Sequence, residues 1–140
     1  MSPRDEIDAK EWVKNAIAFY KSSGRRIALA AFTVPRGMFV HDEVYIYVLN
    51  SKGIMLAHGE NEKFVGADFI EITDCDGKKF IRDIVEIANA AGSGWVGYKW
   101  HHPACREWLP KTAYFEKVDD LIIVSAVTSN RPEAVSVPRK

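Results

Sequence analysis

The stretch VYIYVLNSKGIMLA, residues 44–57, constrains the fold more than any other part of this chain. Val44, Ile46 and Val48 alternate with Tyr45, Tyr47 and Leu49, so a strand here is covered by other elements on both faces. Asn50-Ser51-Lys52-Gly53 follows as a hairpin turn, with Gly53 suited to positive φ, and Ile54 to Ala57 form the returning strand. The first strand is therefore expected inside a sheet, and His58 sits where the second one ends.

Two helical patterns flank other strand candidates. Ser2-Pro3 with Asp5, Glu6 and Asp8 reads as a helix start: a hydroxyl cap, proline in the first turn, and acids at the positive end of the dipole. Ile7, Trp12, Val13, Ala16, Ile17 and Tyr20 then form one apolar stripe until Ser22-Ser23-Gly24 interrupts it. RRIALAAFTV either extends this helix after a kink or begins another, and Pro35-Arg36-Gly37 closes it. Residues 58–78 read mostly as loop, broken by short apolar pieces. Phe80, Ile81, Ile84, Val85 and Ala88 mark a further helix, ended by Gly92 and Gly94. Three strands follow: WVGYKW, TAYFEKV at 112–118 and LIIVSAV at 121–127, the last two joined by a tight Asp119-Asp120 turn. Helix, hairpin, helical crossover and three consecutive strands predict an α+β fold with a five-stranded antiparallel sheet. The polar tail from Ser129 is expected to fray.

Composition enters mainly by exclusion. At 140 residues the chain fits one domain, taken as 1–140 with a core of about 9–128. Nineteen basic and nineteen acidic side chains cancel, leaving no overall field to draw the chain to nucleic acid or an anionic membrane. No apolar run approaches the roughly 20 residues that a membrane span needs, and MSPRDEIDAKEW lacks a basic-then-apolar secretory pattern, so a soluble chain is expected. Cys75 and Cys105, without CxxC or CxxCH spacing, are read as free thiols.

GWVGYKWHHP, residues 94–103, concentrates the candidate binding chemistry. Strand alternation puts Tyr98 and Trp100 on one face and Trp95 on the other. With Tyr45, Tyr47, His58, Lys111 and Tyr114 nearby in the expected fold, they could edge an apolar cavity with hydroxyls, an indole and one cation. A small organic acid needs such a setting: rings exclude water and strengthen the ammonium–carboxylate interaction, while hydroxyls fix orientation. The competing reading is that these aromatics fill a core.

Other chemistries are weaker. Adjacent His101 and His102 point in opposite directions on an extended chain, so they are read as turn histidines before Pro103; a haem or metal site using His58, His101 or His102 is the alternative. Asp74-x-Asp76-Gly77 resembles the start of a calcium loop, but the closing Glu is absent and Val85 stands there, which favours a capped turn before the helix. Acid pairs Asp42-Glu43 and Asp119-Asp120 are expected as solvated turn carboxylates. No GxSxG, HExxH, glycine-rich phosphate loop or Cys–His pair supports an enzyme.

The segments VYIYVLNSKGIMLAHGENEKFVGADF, DCDGKKFIRDIVEIANAAGSGWVGYKWHHP and PKTAYFEKVDDLIIVSAV, taken in order, resemble the single Cache domain, the extracytoplasmic sensor module of bacterial chemoreceptors and histidine kinases, related in fold to PAS domains. The resemblance covers about residues 9–128. It implies a long N-terminal helix on one sheet face and, on the other, a pocket for a small carboxylate such as acetate, propionate, pyruvate or lactate. It further implies a ligand set of Tyr47, His58, Tyr98, Trp100, Lys111 and Tyr114, with Lys111 as the carboxylate anchor, and no cofactor. Three departures stand out: Gly59 after His58 where the family commonly has proline, Ser125-Ala126 near the last strand, and His101-His102, expected to reshape the pocket mouth. The family's receptors add membrane spans and a signalling domain. The Met1-Ser2-Pro3 start and Pro138-Arg139-Lys140 end favour a free-standing cytoplasmic form with a separate signalling partner; an excised receptor domain would instead be periplasmic. A non-binding module dimerising through the first helix is the remaining alternative.

Overall fold

Alternation on the strands sorts the apolar residues into two layers, one on each side of a single sheet. The architecture is that of a computed structural model that describes residues 3–34, 40–41, 44–59, 61–74, 76–101 and 108–128, with side chains for 9–34, 45–59, 61–74, 76–99 and 111–127. The expected Ser2 cap, the stop at Pro35-Arg36-Gly37, Asp42-Glu43, Cys75, Cys105, His102, Pro103 and the tail from Ser129 lie outside the described residues.

Helix α1 spans Pro3–Ser23 and α2 spans Arg25–Thr33. Gly24 between them takes φ 91° and ψ 164°, a conformation that a side chain would strain. Helical bonding nevertheless continues across it: the Gly24 N–H donates to the Tyr20 carbonyl at 2.9 Å and the Ala28 N–H to the Gly24 carbonyl at 3.0 Å. The two readings of RRIALAAFTV therefore merge into a distinct helix set at a kink. Ala9, Val13 and Ala16 of α1 are fully buried, at the four- and three-residue spacing that places them on one face. Their small size lets the helix lie close to the sheet.

The strands are β1 (Val40–His41), β2 (Val44–Asn50), β3 (Met55–His58), β4 (Ser93–His101), β5 (Trp108–Val118) and β6 (Leu121–Thr128). All pairings are antiparallel, in the order β1-β2-β6-β5-β4 with β3 also on β2. The two-residue β1 and β3 share the outer edge of β2: Val40 pairs with Tyr45, and Tyr47 pairs with His58. Five principal strands and an internal β2 agree with expectation. The Asp119-Asp120 turn does too: Asp119 adopts φ 56°, and the two carboxylates are held by the Tyr20 hydroxyl at 2.5 Å and by Arg25 at 2.9 Å. One boundary differs. His101 belongs to β4, paired with Trp108, and so is not a turn residue.

Crossover helix α3 runs Phe80–Ala91 and packs Phe80, Ile81 and Ile84 against Tyr45, Tyr47, Leu49, Phe115 and Val124. On the opposite face, α1 and α2 cover Ile46, Val48, Ile123 and Val127. Phe115 and Phe32, each fully buried on its own face, stabilise the two layers by roughly 2–3 kcal/mol apiece from area removed from water.

Candidate functional site

The hairpin turn fixes the first wall of the site. The Asn50 side-chain oxygen accepts from the Lys52 and Ile54 N–H groups at 2.8 and 3.0 Å. Gly53 has φ 93°, and a Cβ there would come within 2.8 Å of the Ile70 side chain, so both conformation and space call for glycine. The resulting register sets His58 opposite Tyr47. Their rings stack at 5.5 Å with a 13° interplanar angle, and the His58 ring lies 5.2 Å from that of Tyr45.

Residues 61–74 and 76–79 form a strap that crosses this face and fastens at both edges of the sheet. On the β3 side the Met55 N–H donates to the Ala67 carbonyl at 2.9 Å and the Gly66 N–H to the Met55 carbonyl at 2.7 Å, and Ile54 bridges Asp68. Asn61 caps the short helical turn Glu62–Phe64 through Lys63 N–H, presenting Phe64 edge-on to His58 at 4.9 Å and to Phe69 at 5.3 Å. On the β4 side, Asp74 accepts from the N–H groups of Asp76, Lys78 and Lys99 at 2.9, 3.0 and 3.1 Å. Lys78 Nζ donates to the Gly97 carbonyl at 2.6 Å. Burial pushes the Asp74 carboxyl upward, but these backbone donors prevail and hold it below the usual carboxylate range. The Asp74 motif is thus a capped turn, as expected; it satisfies polar groups on the exposed edge of β4 rather than capping α3.

Between strap and sheet lies a pocket of about 30 Å³ of free volume, room for a water or two or, with small adjustments, a molecule of a few heavy atoms. Tyr45, Tyr47, Met55 and His58 line it from the hairpin, and Phe64 and Phe69 from the strap. Phe80 and Ile81 of α3 close it together with Tyr98 of β4, whose ring stacks on Phe80 at 4.0 Å. The Tyr47 hydroxyl is buried with no hydrogen-bond partner among the described residues. Burial first, and then the neighbouring Tyr98 and Tyr45 hydroxyls, push it well above the ordinary phenol value, so it is a neutral group. His58 is neutral as well: burial, then the charge of Lys111, push its imidazole down to about 3. Its Nδ1 accepts from the Asn61 N–H at 3.0 Å, which places its proton on Nε2.

Lys111 of β5 is 7% exposed. Its Nζ donates to the Tyr45 hydroxyl at 2.8 Å and lies 4.8 Å from the centre of that ring. Ala113 and Ala126, paired across β5 and β6, are the small residues between them; Tyr45 in turn pairs with Ala126. Among the described residues no carboxylate pairs with this ammonium.

Of the six residues singled out in the sequence, Tyr47, His58 and Tyr98 come together around the pocket. Lys111 reaches it by way of Tyr45, and the side chain of Trp100 lies outside the described residues. Tyr114 does not belong with them. From Lys111, period two carries Ala113 and Phe115 to the pocket face and Tyr114 to the other. There its ring packs against Trp95 at 4.8 Å and its hydroxyl donates to Glu116 at 2.5 Å. Burial and this acceptor push the Tyr114 phenol up to about 12. Reading Tyr45 at the same period as Tyr47 was the signal that would have added it. Phe64 and Phe69 had none beyond being apolar in a loop. Among the described residues no three His, Cys, Asp or Glu side chains gather as a metal site, and no helix is long and apolar enough to cross a membrane.

Residues 4–129 match the family described as Single Cache domain 2. The chain belongs to that family. It is 28% identical over 86 residues to the methyl-accepting chemotaxis protein McpP of Pseudomonas putida, an alignment covering 61% of this chain and 16% of that protein. The chain thus spans only a minor part of the length of this relative. A methyl-accepting chemotaxis protein from Vibrio parahaemolyticus superposes with a TM-score of 0.76 at 17% identity, covering 91% of this chain and 90% of the other. A Cache chemosensory domain solved to explain carboxylic acid recognition superposes with a TM-score of 0.75 at 22% identity, covering 93% and 100%. Both share the fold of this Cache domain.

Proposed function

We propose that this Cache domain is a sensor module whose pocket binds a small monocarboxylate. The observation that carries the reading is Lys111: a buried ammonium without a carboxylate partner among the described residues, joined to a tyrosine that lines a small aromatic pocket. A buried charge is costly unless paired, and an anionic ligand supplies the pair. Tyr47 adds a buried hydroxyl beside that of Tyr98, and His58 adds a neutral N–H rather than a second positive charge. One cation among neutral donors suits a monoanion. The apolar remainder, with Met55, Phe69 and Ile81, suits a tail of one or two carbons. The carboxylic acid recognition described for the related Cache chemosensory domain agrees with this chemistry.

Output would pass through the helices on the far face. The Thr33 hydroxyl at the end of α2 accepts from the His58 backbone N–H at 3.3 Å, so a shift of His58 on binding is felt by α2. The receiver would be a further part of a receptor, a separate signalling protein, or a second copy meeting α1.

Thermal-shift and calorimetric titrations with acetate, propionate, pyruvate and lactate test the reading. A bound acid at 100 times its Kd should stabilise the domain by about 2.7 kcal/mol. No stabilisation by any of the four, in protein shown to be folded, counts against it.

A further inference from the structure

We infer that α1 is a releasable arm: it pivots off the sheet at Gly24 while α2 stays in place, and the Ser125 hydroxyl in its seat keeps it near the point of release. The pocket is lined from β2, β3, the strap, α3 and β4, so the arm can leave without dismantling it. α1 lies mainly over β5 and β6, and α2 over β2 and β3. The Lys10 ammonium stands 5.7 Å from the centre of the Tyr114 ring, Lys14 pairs with Glu116 at 2.7 Å, and Tyr20 donates to Asp119 at 2.5 Å. Lys10 to Tyr20 measures about 15 Å as helix and Tyr114 to Asp119 about 17 Å as strand, so α1 and β5 run side by side in the same direction. Ser125 pairs with Tyr114, which sets it at the level of Ala9 and Val13 on the face shared with Ile123 and Val127.

Among the described side chains of α1, only the small Ala9, Val13 and Ala16 are buried, with Trp12, Ile17, Phe19 and Tyr20 partly covered. α3 instead sinks Phe80, Ile81, Ile84 and Val85 into the pocket layer. Apolar burial stabilises roughly in proportion to area, so α1 is the less firmly held helix. Its fastenings through Lys14 and Tyr20 each have a solvent-exposed member, and such bonds hold weakly. Beneath the helix the Ser125 hydroxyl is fully buried with no hydrogen-bond partner among the described residues. An unpaired buried hydroxyl destabilises the seated state and is solvated once the seat opens. The kink supplies the hinge. The Tyr20 carbonyl accepts from the Gly24 N–H, and the Gly24 carbonyl accepts from the Ala28 N–H. Both bonds end on Gly24 itself, one on either side of its φ and ψ bonds, so rotation about those two bonds breaks neither. A Cβ on Gly24 would meet nothing within 4 Å, which leaves the residue room to turn. Just past it Arg25 is held by Asp120, and Thr33 accepts from the His58 N–H, so α2 stays on the sheet.

Amide hydrogen exchange of the domain without added ligand, followed in rising urea, tests the arm. A helix freed from its packing is marginal in water, so each release exposes its amides. The amides of residues 9–23 should exchange as one group, roughly tenfold or more faster than those at the centres of β5 and β6 and with a smaller urea dependence. The amides of residues 29–32 in α2 should stay with the sheet. Ser125→Ala removes the unpaired hydroxyl with little change in volume and should slow exchange of the α1 group roughly 5- to 100-fold. Equal rates and equal urea dependence in α1 and the sheet would mean that α1 leaves only on global unfolding, and the arm is refuted. Opening of α1 and α2 together as one unit refutes the hinge at Gly24. Unchanged or faster α1 exchange in Ser125→Ala, or failure of that variant to fold, refutes the role given to Ser125, and the wild-type measurement decides the arm in either case.

Discussion

Acidification should weaken this domain through His58 well before its carboxylates titrate. The side chain is 5% exposed, stacked on Tyr47, edged by Phe64, bonded at Nδ1 by the Asn61 N–H, and within the field of the Lys111 ammonium. Burial and then Lys111 lower its folded-state value from 6.5 to about 3. With the folded value depressed, the unfolded chain takes up the proton first, so the contribution is complete above 6.5 and is lost progressively as pH falls toward 3. Each unit in that window removes about 1.4 kcal/mol, so between pH 7.5 and pH 5 the loss is about 2 kcal/mol, or roughly 6 °C in Tm for a domain of this size. Urea denaturation of the wild type and of His58→Gln at both pH values isolates the effect. The titrations of His41, His101 and His102 and of the acids cancel in the difference, and Gln cannot take up a proton. The stability gap between the two proteins should narrow by about 2 kcal/mol on going to pH 5. A gap that stays constant within about 0.5 kcal/mol would mean that His58 titrates near its ordinary value in the folded domain, and the desolvated aromatic pocket argued above would be refuted.

Three further outcomes follow from the same geometry. Gly53→Ala should destabilise by roughly 2–3 kcal/mol, from strain at φ 93° plus the 2.8 Å approach to Ile70, whereas Gly24→Ala, at φ 91° with nothing within 4 Å, should cost only about 1 kcal/mol; equal losses by urea denaturation would rule out the Ile70 contact as the cause. Asp74→Ala removes the acceptor of three backbone N–H groups and should cost about 1–3 kcal/mol, with faster hydrogen exchange at the Lys99 amide as the specific sign; unchanged exchange there would mean the strap is not fastened to β4 by this carboxylate. Phe115→Ala empties a fully buried site beneath α3 and should cost about 3–5 kcal/mol by the same measurement, a loss below about 1 kcal/mol being incompatible with the packing described.

Sequence periodicity carried the sheet because each strand obeys one local rule, side chains alternating about a pleat, and that rule is visible in the residues themselves. It put Tyr98 and Trp95 on opposite faces, and the structure has Tyr98 buried against Phe80 and Trp95 on the far side with Tyr114. The same rule, applied from Lys111 along β5, would have removed Tyr114 from the binding set, since an interval of three residues reverses the face. What no local rule could reveal is the strap. Phe64 and Phe69 reach the pocket because residues 61–74 and 76–79 bond to the edges of β3 and β4, irregular contacts that leave no period in the sequence. Tyr45 lies between these cases: its face was legible, but its bond to Lys111 joins residues 66 positions apart across an intervening strand. The binding chemistry of this fold is therefore least legible where it matters most, because a lysine's role depends on which tyrosine it can reach, and that is set by the pairing of β2 with β6, strands far apart in sequence that meet only after the chain has folded.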